Sequence, residues 1–67
     1  MNEILSMREK RAKLWDATKA FVESRKDANG TLSAEDTATY EKMEADVVRM
    51  GKEIERLERQ EALDLEF

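Results

Sequence analysis

Residues 26–36, KDANGTLSAED, are the one stretch of this chain that does not read as helix, and their reading decides the fold. Asp27, Asn29 and Gly30 stand in an order found in calcium-binding loops. An EF-hand loop takes ligands from positions one, three, five and twelve and needs glycine at six. Setting Gly30 at six puts Asp27 at three and Asn29 at five, but it also puts Arg25 at one and Asp36 at twelve. A cation then stands where the first ligand belongs, and the last carboxylate is too short for the usual bidentate reach. A corner between two helices accounts for the same residues without conflict. Asn29 and Gly30 tolerate a left-handed backbone, Leu32 plugs the open end of a hairpin, and Ser33 supplies an N-cap hydroxyl with Glu35 and Asp36 behind it. The corner therefore spans about 27–33, and neither a metal nor any other cofactor is expected.

Upstream of the corner, Ile4, Met7, Arg11, Leu14, Thr18 and Phe21 recur at alternating steps of three and four, and Leu5, Ala12, Trp15 and Val22 widen the stripe. That period belongs to a helix, predicted over about 3–26. Downstream, Tyr40, Met43, Val47, Met50, Ile54 and Leu57 form an unbroken heptad series, which predicts a second helix over about 34–65 and a left-handed supercoil. At 1.5 Å per residue the two helices would be roughly 36 and 48 Å long, so the second must overhang. If the chain doubles back at the corner, Phe21 lies near Tyr40, Leu14 near Val47, Met7 near Ile54 and Ile4 near Leu57. The overhang begins near residue 58 and carries Leu63 and Leu65 without a partner in the same chain. The fold class is all-α: an antiparallel two-helix hairpin of coiled-coil type with the second helix longer.

Charge favours the same arrangement. Residues 1–26 hold seven Lys/Arg against four Asp/Glu, whereas residues 27–67 hold five against twelve. An antiparallel hairpin sets the cationic half against the anionic half, while parallel self-pairing of either half would set like charges side by side. A chain of 67 residues encloses a thin core, so a partner is expected, and self-association into a homo-oligomer is the simplest one. The expected packing residues are Ile4, Met7, Arg11, Leu14, Phe21, Tyr40, Met43, Val47, Met50, Ile54 and Leu57, together with Trp15, Leu63 and Leu65.

Composition excludes several functions. Cysteine and histidine are both absent, which removes disulfides, thiolate nucleophiles, zinc clusters and the commonest general base. Carboxylates abound, but a helical hairpin has no cleft to raise the pKa of one above another, so no catalysis is expected. Apolar runs are no longer than three residues, so no segment spans a membrane, and the opening MNEILSMREK lacks the apolar core of a signal peptide. A cytoplasmic protein is expected. The basic segment REKRAK, residues 8–13, is interrupted by Glu9 and followed by Asp16, and the acidic second helix is its nearest counter-charge. Nucleic acid is not an expected partner.

Three residues carry two readings each. Arg11 sits in an apolar stripe, either with its stem along the seam and its guanidinium reaching a carboxylate such as Glu44 or Asp46 at the edge, or as a polar seam residue that sets the pairing; the edge is favoured. Trp15 belongs either to an aromatic core with Phe21 and Tyr40 or to an anchor for a partner docked beside the seam, and the core is favoured. Gly51 interrupts the second helix at about 1 kcal/mol relative to alanine, either on a solvent face or where another helix approaches closely.

Three stretches taken together, MNEILSMREKRAKLWDATKAF, NGTLSAEDTATYEKMEADV and EIERLERQEAL, resemble the N-terminal delta domain of tailed-bacteriophage major capsid proteins. The resemblance covers nearly the whole chain and implies a fragment of a longer protein, in which this region precedes the shell-forming domain. It further implies a built-in scaffold that lines the procapsid interior in the host bacterial cytoplasm and helps capsid subunits associate with the correct curvature. The implied partners are other capsid subunits and a phage maturation protease that removes the segment. Leu5, Arg8, Arg11 and Leu14 match the opening of the family pattern, and Ile54, Leu57 and Arg59 its close, as packing and assembly residues. The alternative is a coiled-coil interaction module of a regulatory or cytoskeletal protein.

Overall fold

Asn2 starts the first helix: its side-chain oxygen accepts from the amide of Ile4 at 2.9 Å, and its backbone is extended. The computed structural model describes residues 2–67, and it has two helices, α1 (Glu3–Arg25) and α2 (Ala34–Glu66). α1 ends where Lys26 turns extended, its amide still donating to the Val22 carbonyl at 2.9 Å. α2 starts at the N-cap Ser33, whose hydroxyl accepts from the Asp36 amide at 3.1 Å, with Glu35 and Asp36 near the unpaired amides of the first turn. The chain is an antiparallel helical hairpin in which α2, at 33 residues, exceeds α1, at 23.

The corner is closed by its own backbone and by one carboxylate. Asp27 Oδ1 accepts from the amides of both Asn29 and Thr31 at 2.9 Å, the Asp27 amide donates to the Thr31 carbonyl, and the Gly30 amide donates to the Asp27 carbonyl. Gly30 has φ +79°, which is why glycine stands there. Asp27 is thus a turn-former, and among the described residues no three or more acidic groups gather as metal ligands.

The molecule measures 55 × 19 × 15 Å with a radius of gyration of 15.9 Å, against about 11 Å for a compact chain of this length. At the open end Ile4 and Leu57 share a groove as expected, and the groove reaches further along α2 than expected. Asn2 and Ile4 share a groove with Leu57, Gln60, Glu61 and Asp64, so α2 accompanies α1 about one helical turn beyond the predicted start of the overhang. Only the last residues project past α1, with Leu65 85 % exposed and Phe67 fully so.

Candidate interaction surface

Two helices cover each other along one strip only, and this limits what the seam can bury. Ile4, Met7, Leu14, Phe21, Tyr40, Met43, Val47, Met50 and Leu57 are each partly covered, while Ile54, at 6 % exposure, is the buried hydrophobic residue among those described. The fully buried side chain is Thr18, which belongs to the predicted stripe but not to the expected packing residues. Its hydroxyl donates to the Leu14 carbonyl one turn back at 2.7 Å, so the polar atom is satisfied within its own helix and the methyl is left to pack.

Arg11 does not run to the edge. Its Nε donates to the backbone carbonyl of Val47 at 2.8 Å, across the seam. The carboxylates expected to hold it are engaged along α2 instead: Glu44 accepts from the Tyr40 hydroxyl at 2.7 Å, and Asp46 pairs with Arg49. Gly51 explains how a guanidinium reaches a mid-helix carbonyl. In an α-helix the residue four positions on donates to that carbonyl and its side chain stands beside it, and position 51 has none. A Cβ built there would lie 2.6 Å from Arg11 Nη2 and 2.8 Å from Cζ. Of the two readings of Gly51, close approach is correct, and what approaches is a side chain of α1.

Trp15 lies outside the seam. It is 39 % exposed and forms a wall shared by two adjoining grooves on one side of the hairpin, one lined with Ala12, Val47 and Val48, the other with Val22, Leu32 and Tyr40. The favoured expectation of an aromatic core thus fails for Trp15. A stripe wide enough to include residues 4, 11 and 18 as well as 5, 12 and 15 spans more of the helix than one partner helix covers. The first of these grooves continues past Arg8 into a third, which runs along Glu58, Ala62 and Leu65. Val48, 48 % exposed and outside the heptad series, belongs to this side; a seam-based reading misses it, and its spacing of eight from Tyr40 was the available signal. Leu63 is also exposed, on the back of α2.

The opposite side of the hairpin has an apolar floor and a cationic rim. Met7 and Met50 floor a groove edged by Arg49, Lys52, Arg56 and Arg59. Arg56 pairs with Glu53 at 2.5 Å, and this hydrogen bond holds the Glu53 carboxyl below its ordinary range and raises the guanidinium. On the Trp15 side, Arg8 and Glu58 bridge the two helices at 2.5 Å. The Tyr40 phenol is raised above its ordinary value, first by its hydrogen bond to Glu44, with some desolvation and the nearby negative charge adding to it. Among the described residues no helix is long and apolar enough to cross a membrane. Comparison with protein-family models, with curated proteins and with solved structures finds no match for the chain.

Proposed function

We propose that this hairpin is a non-enzymatic scaffolding segment of a phage major capsid protein, one that brings capsid subunits together in the procapsid by helical packing. The observation that carries the reading is that the apolar surface is not consumed by the hairpin's own fold. The seam stays half covered, and one whole side presents Trp15, Val48 and Leu65 to solvent. A rod of this kind favours association with other helices over binding in a pocket. The three-part resemblance to capsid delta domains supplies the context, and within it Leu5, Arg8 and Leu65 on the open side become contacts between subunits.

The test is made on the parent gene. Its reading frame is expected to continue past residue 67 into a large mixed α/β shell domain, and deleting the coding sequence for residues 2–67 is expected to abolish uniform closed shells in electron micrographs of expressed subunits. A frame that leads instead into a regulatory or cytoskeletal protein, or shells that form normally after the deletion, would reject the reading.

A further inference from the structure

We propose that a second copy of this chain packs against the Trp15 side of the hairpin, with both corners at the same end of the assembly. Such a pairing gives the scaffolding role above its contact surface, and it rests on that reading for its purpose but not for its geometry. Four of the six exposed large apolar residues gather on one side. Trp15, Val48 and Leu65 line the three joined grooves of one side, and Leu5 stands two turns before Ala12 on the same flank.

Surface area says how much must be covered. A folded monomer of 7.8 kDa is expected to expose about 4,400 Å². This chain exposes 5414 Å². The excess of roughly 1,000 Å² is close to the ~800 Å² that each partner contributes to a standard stable interface.

Charge selects both the occupant and its orientation. α1 carries six Lys/Arg against four Asp/Glu, and α2 five against eleven. On the open side Arg8, Lys19 and one carboxylate, Glu23, edge the α1 bank, and Glu44, Glu58 and Glu61 the α2 bank, with Arg8 and Glu58 already paired across the hairpin. Two face-to-face hairpins can be related by a two-fold axis along the helices or by one across them. The axis across them lays α1 on α1 and α2 on α2, like on like. The axis along them lays each cationic helix over the partner's anionic helix, antiparallel, as in the hairpin itself, and closes a four-helix bundle in which the sign of charge alternates around the ring.

The test uses the 67-residue chain. Sedimentation equilibrium over a micromolar to millimolar series is expected to show a monomer–dimer equilibrium. Trp15→Glu and, independently on the other helix, Val48→Glu should each weaken the dimer by roughly thirtyfold or more, the effect of removing an interface anchor. Leu63→Glu, on the back of α2, should leave it unchanged, and circular dichroism should show undiminished helix in all three. Because the chain has no cysteine, a spin label at Ala28→Cys reports orientation: the two corner labels should lie within about 30 Å, as packed helices are about 8–10 Å apart, whereas opposed corners would separate them by nearly the 55 Å length of the molecule. A chain that stays monomeric at millimolar concentration, Trp15 and Val48 variants that associate like the parent, or labels at opposite ends would each overturn the pairing. None of these results depends on whether the parent gene encodes a shell.

Discussion

Gly51→Ala separates the role assigned to Arg11 from ordinary helix energetics. Inside an exposed helix, replacing glycine by alanine stabilises by about 1 kcal/mol. Here the new methyl would meet Arg11 Nη2 at 2.6 Å and Cζ at 2.8 Å, closer than any real contact. The guanidinium is the free end of a flexible side chain and can swing away, but doing so breaks the 2.8 Å bond to the Val47 carbonyl. A hydrogen bond from a charged donor contributes about 1.5–3 kcal/mol. The balance is a net loss of about 0.5–2 kcal/mol, opposite in sign to the propensity effect. In an Arg11→Met background the conflict is absent and Gly51→Ala should stabilise by the full ~1 kcal/mol. Urea denaturation of the four proteins of this double-mutant cycle, at one fixed protein concentration, measures the coupling. Stabilisation of about 1 kcal/mol by Gly51→Ala in both backgrounds would refute the account of Arg11.

Ile54→Ala removes the buried hydrophobic side chain of the seam and should destabilise by about 2–3 kcal/mol in the same assay, whereas Glu58→Gln, which breaks a solvent-exposed ion pair with Arg8, should change stability by less than about 1 kcal/mol. Asp27→Ala deprives the corner of the acceptor for two amides and should lose about 1–2 kcal/mol, read as a drop in melting temperature of several degrees. The single tyrosine should ionise above its ordinary 10.0 in near-UV titration, because Glu44 holds the neutral phenol. With a raised folded value, its contribution to stability is complete below pH 10 and fades as the pH climbs through that raised value. Glu44→Gln should bring the titration back toward 10.0.

The two helices and their corner were legible because punctuation and period agree there: Asn29-Gly30 and Ser33 mark the break, and steps of three and four run clearly on both sides of it. What lay across the seam was not legible. Gly51 looks like a defect until Arg11 is seen beside it, and Arg11 looks destined for a carboxylate until Glu44 and Asp46 are found occupied within their own helix. Thr18 was undervalued because a hydroxyl in a stripe reads as a gap, although bonding to the carbonyl one turn back makes it an acceptable core group. Trp15 was misplaced for a different reason. Periodicity tells which side of a helix is apolar, not how much of that side a single neighbouring helix will cover.

A body only two helices thick has no centre for its stability to collect in. Each layer of the hairpin leans on the layers just above and below it, so disruption need not be all or none. Opening should begin as fraying at the end that holds both termini and travel toward the corner, where the connection keeps the helices at high effective concentration. Backbone amides would then exchange with solvent along a gradient, fastest around Leu65 and slowest near Phe21 and Tyr40, and a second hairpin laid alongside would flatten that gradient by bracing every layer at once.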